Sequence, residues 1–501
     1  MELHSQLLPF TPFERYMLED DRPSHPMAFF LRFQIAKPLS VERLRQAVDQ
    51  LKPVHLLPYA VIRRQGFRLF WDLGKTAPSV LGHEYGGYAK SRSDWGFDLK
   101  RESGLRLSVG NDGEACEVWL QVHHTCSDAR GVLDYFRDLL AIYHGRASES
   151  KPDPSFDSTS EKARTNRMQI SHTGFGRSKS YLPYLWPGSH HWRRVLGYYL
   201  HKISPLRLSS RRAEQLVSHE GPAFISRQIK YSDLGAKKSR APVESNDGSA
   251  STLGGNEVSQ VTLNDRLLAA TFCALRDWHS RFEEGTGARW IRLAVPIDQR
   301  QSHASCTTVK NRSSLVFLDR HTTRIEKQDA FLNSVSDEMQ RIKKMQLSTV
   351  FIDALDALSV IPQGIQLATR DRRCAITAVV SNVGHLDEEL KRSVRPGSQV
   401  QGRKPHSLSS EDRLSTEGRL SITASESEQS IPAFEYGDFL VPLRPGTQFS
   451  VGILGHREHL NICLHYDSRL VTAVEATALL DDIVRALLDS TQAAAMDSGK
   501  K

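Results

Sequence analysis

His123 and His124 stand side by side in the run Gln121-Val122-His123-His124-Thr125-Cys126-Ser127-Asp128-Ala129-Arg130-Gly131. An imidazole titrates near neutrality, so a neutral ring nitrogen can take a proton from an alcohol or amine while that group attacks a carbonyl carbon. Chemistry of this kind needs a base and a second group that fixes its geometry. Asp128 suits the second task, through an ion pair with an arginine from elsewhere in the chain. Other chemistries use the same residue types. His123, His124, Cys126 and Asp128 are all metal-ligating types, but no Cys-x-x-Cys or His-x-His cluster completes a four-ligand set, so no metal is expected. Cys126 next to a histidine has the atoms of a nucleophile, yet nothing about its place on a tight loop marks an activated pair. The dipeptide alone is weak evidence, since His190-His191 repeats it.

Elements on either side position these residues. Val118-Trp119-Leu120-Gln121-Val122 is β-branched and aromatic, which predicts a buried strand. Val132, Leu133, Phe136, Leu139, Leu140 and Tyr143 recur at helical spacing, and Asp128 stands where an N-cap belongs. The histidines therefore lie at the carboxyl end of a strand, where backbone pairing stops and side chains can face a cleft. Successive side chains of an extended backbone point to opposite sides. His124 is the candidate base, and His123 packs or hydrogen-bonds behind the strand in support.

At 501 residues the chain exceeds what one hydrophobic core usually holds, so two domains are expected. No apolar run reaches membrane-spanning length, and Met1-Glu2-Leu3-His4 opens no signal segment. The six cysteines are scattered without paired spacing, which fits reduced thiols and a cytoplasmic location. A formal charge of +8 is modest for this length and not concentrated enough to imply nucleic acid. Trp186 to Arg212 interleaves aromatic and basic residues; such a helix suits a membrane surface or an acidic carrier protein, or is a partly buried helix with a solvated cationic face. Segments 146–162, 235–260 and 393–430 are rich in Ser, Gly, Pro and mixed charge, and read as surface insertions.

The spacing His-His-x-x-x-Asp resembles the active-site motif of the acyltransferase superfamily of condensation domains, alcohol acyltransferases, wax ester synthases and proteins of the chloramphenicol acetyltransferase-like fold. That family usually has glycine directly after the aspartate; here the position is Ala129, and Gly131 matches a second glycine found two places later. Alanine would be strained if the backbone there needs a positive φ. The likeness extends along the chain. Leu7 to Glu14 and Met27 to Ile35 look like the family's opening helix and first strand, and 40–51 with His55-Leu56-Leu57-Pro58 like the approach to the second strand. Val261 to Ala270 resembles an Asn-Asp helix start, although Thr262 and Asp265 also form a capping-box pattern whose role is structural. Ile291 to Arg300 resembles a strand ending in a proline-started turn and an arginine, followed by the Asn-containing strand 311–317; 376–384 resembles the strand that approaches the site from the second half, and 434–467 the closing strands.

The resemblance implies an α/β protein of two similar lobes, mixed sheets flanked by helices, with a channel at their interface. It implies an N-terminal lobe at 1–185 carrying the motif, a crossover and insertion at 186–260, and a C-terminal lobe at 261–501 with an insertion near 393–430. Arg300 becomes the partner of Asp128, the alternative being a solvated surface arginine; Ser381 and Asn382 become candidates to stabilise an oxyanion, or else form the polar end of a core strand. The implied activity moves an acyl group from a thioester to an alcohol or amine, with His124 as base. No bound cofactor is implied: acyl-CoA or acyl-phosphopantetheine is a co-substrate, and the acceptor is a small molecule. Two alternatives stay open: a stand-alone condensation protein fed by an acyl carrier protein, and a catalytically silent relative that binds a ligand or partner.

Overall fold

The structure is a computed structural model, described here for residues 7–88, 95–146, 205–206, 221–234, 261–282, 289–300, 310–326, 329–370, 375–387 and 434–498. The insertions at 147–162, 235–260 and 393–430, His190-His191 and nearly all of the basic aromatic stretch 186–212 lie outside these residues.

The first lobe is built on a mixed five-stranded sheet in the order β12-β2-β7-β6-β5: Phe434–Leu440, Ala28–Ile35, Cys116–His123, Leu105–Asn111 and Ser79–Glu84. Alternation divides its faces. Phe29, Leu31 and Phe33 of β2, with Val118, Leu120 and Val122 of β7, form the core. Helices α2 (Val41–Leu51) and α3 (Ala129–Tyr143) bury their apolar stripes in the same core, and all six periodic apolar residues of α3 are buried. Ser40 caps α2 and Thr11 caps α1 (Pro12–Asp20), the latter through a complete capping box with Glu14. A small antiparallel sheet of β1 (Leu7–Pro9), β4 (Arg68–Asp72) and β3 (Val61–Gln65) completes the lobe.

The second lobe carries a six-stranded sheet in the order β10-β9-β11-β13-β14-β8: Ser313–His321, Trp290–Asp298, Ala378–His385, Phe449–His456, His459–Asp467 and Pro222–Lys230. Helices α4 (Leu263–Phe282), α5 (Asp329–Lys344) and α8 (Ala473–Ser498) pack on one face of it. Thr262 and Asp265 form the reciprocal bonds expected of them at the start of α4. The other face meets the first lobe: Ala378 and Val380 of β11 belong to the second core, while Val379 and Val383 on its opposite face join the first.

β12 ties the lobes together. It comes from near the end of the chain yet pairs with β2 in the first sheet, and Gly452 of β13 lets it pass, since a Cβ there would clash with the Phe439 carbonyl. One sequence expectation needs correcting. The strand at 291–300 does not turn at its proline; β9 runs through Pro296 to Asp298. Pro296 pairs with β10 on one side, whereas β11 pairs with β9 only at Leu293 and Ala294, so Pro296 has the edge position at which a missing N–H is tolerated. No single helix among the described residues is long and apolar enough to cross a membrane; α6 (Ser348–Val360) and α7 (Gly364–Arg370) pass that test only as a pair, bent by 116°.

Candidate active site

β7 ends at His123, and the chain turns at once, with Cys126 N–H donating to the His123 carbonyl at 2.9 Å. The two histidines diverge as alternation requires. His123 is buried; its Nδ1 accepts from the Thr125 N–H at 3.1 Å, so its proton is on Nε2, 3.6 Å from Asp21. Asp21 also accepts from Met27 N–H at 2.7 Å, and the Met27 carbonyl accepts from His124 N–H at 2.8 Å. A single loop thus braces both histidines from behind.

The His124 ring packs edge-on against Phe29, with centroids 5.3 Å apart. Burial costs the charged ring its hydration and lowers its pKa below the ordinary 6.5; the neighbouring backbone and the charge of Asp128 oppose this without cancelling it. The ring is therefore held neutral at physiological pH, the form a base requires.

Asp128 caps α3, its Oδ1 accepting from Gly131 N–H at 2.9 Å. Arg300, just past the end of β9, grips the same carboxylate with both terminal nitrogens, at 2.8 and 3.0 Å. Arg312 N–H and the Ser313 hydroxyl, at the start of β10, add bonds at 2.7 and 3.3 Å. Burial alone would push the Asp128 carboxyl up, but Arg300 and the backbone donors together hold it below its ordinary value. Asp298 braces Arg300, accepting from its N–H and its Nη1, and is itself bridged to Arg130 of α3. The carboxylate of the first lobe is thus bound by the ends of two strands of the second.

Ser381 is buried in β11, on the strand face whose Val379 and Val383 join the first core. Asn382 points the other way and is exposed; its Oδ1 accepts from Gly384 N–H at 2.9 Å. Ala129 begins α3 and is not among the residues with positive φ, so the expected strain of alanine is absent. The demanding glycine is Gly131, where a Cβ would lie 2.6 Å from Ser127 Oγ and 3.1 Å from the Lys310 carbonyl. Cys126 is fully buried in an apolar cluster, and desolvation pushes its thiol far up, away from a reactive thiolate. Among the described residues, no group of three or more His, Cys, Asp or Glu side chains could hold a metal ion.

Asn311 was not singled out by sequence reasoning, which used it only as part of a strand. It reaches across from the second lobe and donates to the His124 carbonyl at 2.7 Å. An isolated asparagine before a strand carries no pattern that would have revealed this.

The sequence matches no protein-family model and no curated protein. Solved structures do match. The epimerization domain from the third module of tyrocidine synthetase B superposes with a TM-score of 0.57 at 12% identity, covering 98% of each chain. The starter condensation domain of rhizomide synthetase, in complex with C8-CoA, gives 0.58 at 12% identity over 97% of this chain and 95% of that one. Trichothecene 15-O-acetyltransferase from Fusarium sporotrichioides gives 0.60 at 11% identity over 96% and 94%. The chain has the condensation-domain fold. Within that fold, the histidine turn of the first lobe and the strand ends of the second meet at Asp128.

Proposed function

We propose that this condensation-fold protein transfers an acyl group from a thioester, acyl-CoA foremost, to a hydroxyl or amine of a small-molecule acceptor. The observation that carries this reading is the placement of His124 at the junction of two lobes, held there by Met27 of the first and Asn311 of the second. The C8-CoA complex and the 15-O-acetyltransferase of the same fold support the donor and the reaction type.

In this mechanism His124 accepts the proton of the acceptor as its oxygen or nitrogen attacks the thioester carbonyl. Negative charge develops on the carbonyl oxygen, and Ser381, on the face turned to the first lobe, is the better placed of the two candidates to meet it; the Asn382 carbonyl is already engaged with its own turn. When the intermediate collapses, the carbon–sulfur bond breaks and the imidazolium returns the proton to the departing thiolate. Asp128 and Arg300 take no proton; they fix the histidine turn against the second lobe.

The donor is tested by offering one acyl chain as its CoA thioester and on a phosphopantetheinyl carrier protein, then measuring acylated acceptor by mass spectrometry. Product from the CoA thioester is expected. Product from the carrier-bound donor alone would replace acyl-CoA with the carrier reading.

A further inference from the structure

Residues 20–27 join α1 to β2 and, through Asp21 and Met27, brace both histidines. The loop belongs to the first lobe, yet the second lobe holds it. Asp20 is buried and accepts from Nε and Nη2 of Arg444, the latter at 3.0 Å. Arg444 comes from the segment that crosses from β12 to β13, and its guanidinium lies over the Tyr16 ring, 5.7 Å from the centroid. Arg22 donates to the Thr369 carbonyl of α7 at 3.1 Å. Arg469, just beyond β14, donates to the Ser24 carbonyl at 3.2 Å. Asp467, the last residue of β14, lies 3.4 Å from His25 Nε2 and accepts twice from Arg469, at 2.7 and 2.8 Å. The Met27 side chain packs with Leu355 of α6 and Ile365 of α7.

We propose that Arg444 and Arg469 are positioning residues by which the second lobe sets the base from behind: they fix the loop at Asp20 and Ser24, and the loop fixes His124 through the Met27 carbonyl. The proposal rests on the reading of His124 as the base and adds a second route by which lobe docking reaches it. The route through Asp128 and Arg300 holds the turn that follows the histidines; this one holds the loop beside them. Arg444 grips a carboxylate with two nitrogens, which leaves the end of α1 little freedom. Without that grip the loop needs to shift by only about 1 Å to misplace a base. A loosened loop also draws Met27 away from His124 and lets water reach the ring, which relieves the desolvation that holds its pKa below 6.5. His123 and Asp128 are the charged or titratable groups that act on the ring, and both stay in place.

NMR titration of protein labelled at histidine, without substrate, follows the His124 ring directly. Arg444→Met should raise its midpoint toward 6.5 and lower kcat about 10- to 100-fold with KM for the donor little changed, the scale of a small misplacement. Arg444→Lys, which keeps the charge, should recover part of both. Arg469→Gln removes a side chain that is 36% exposed, so the fold should tolerate it even where Arg444→Met fails to fold; it should move both readouts in the same direction by less. Arg227→Gln breaks the ion pair with Asp481 between β8 and α8, away from the loop, and serves as the control that moves neither. A wild-type His124 titration in folded Arg444 and Arg469 variants, or an equal shift in Arg227→Gln, overturns the proposal. Because the titration is read without turnover, a shift supports the positioning role even in a protein that transfers no acyl group, and the two readings fail separately.

Discussion

In the proposed mechanism His124 is the base, and its environment gives it a recognisable pH dependence. Desolvation holds the ring below the ordinary 6.5, so kcat/KM should rise with pH and level off at a lower pH than a free imidazole would dictate. A rise centred above 6.5 would contradict a desolvated base. Stability follows the same sign: the unfolded chain binds the proton more readily, so this contribution is present above the unfolded value and is lost as pH falls below it. Cys126 makes the opposite contrast. With its thiol buried and pushed up, iodoacetamide at neutral pH should leave Cys126 unmodified in the native protein, as peptide mapping would show; rapid labelling would reopen a thiol mechanism.

The junction between β7 and α3 shows what element-level reasoning can reach. The apolar spacing from Val132 to Tyr143 and the cap at Asp128 were legible because both obey local rules. The tolerance of position 129 was not, because a residue after an aspartate reads alike whether it starts a helix or needs a positive φ. Structure moves the steric demand to Gly131, into which Ser127 and Lys310 crowd. Gly131→Ala should therefore cost about 1–3 kcal/mol by overpacking and lower activity as well. Ala129→Gly should lose about 0.5–1 kcal/mol of helix stability without gaining activity. Urea unfolding of the two variants checks both, and a harmless Gly131→Ala would mean that β10 does not press on the helix as described. Pro296 teaches a related lesson, since a proline ends a strand only where its missing N–H would face a partner, and sequence does not show which edges are open.

At the scale of the whole molecule the two lobes depend on each other for the site. Asp128 belongs to the first and its grip to the second, and β12 crosses from the later part of the chain into the first sheet. The resemblance pointed to Arg300 as the partner; the contacts of Arg312, Ser313 and Asn311 are long-range and had no signal in the sequence. Removing one member of the pair leaves a charge buried without its partner. Arg300→Ala should destabilise by about 3–5 kcal/mol, toward the lower end because the Arg300 side chain keeps 18% of its surface exposed. Thermal unfolding of Arg300→Ala at the wild-type Tm would mean that the pair contributes nothing. The central claim, however, is acyl transfer through His124. Its most direct test is release of free thiol from acyl-CoA, with and without a panel of alcohols and amines, in wild type and His124→Ala. Thiol release that requires both an acceptor and His124, falling about 10²- to 10⁴-fold in the variant, is the predicted result; release that is indifferent to either one would contradict the account.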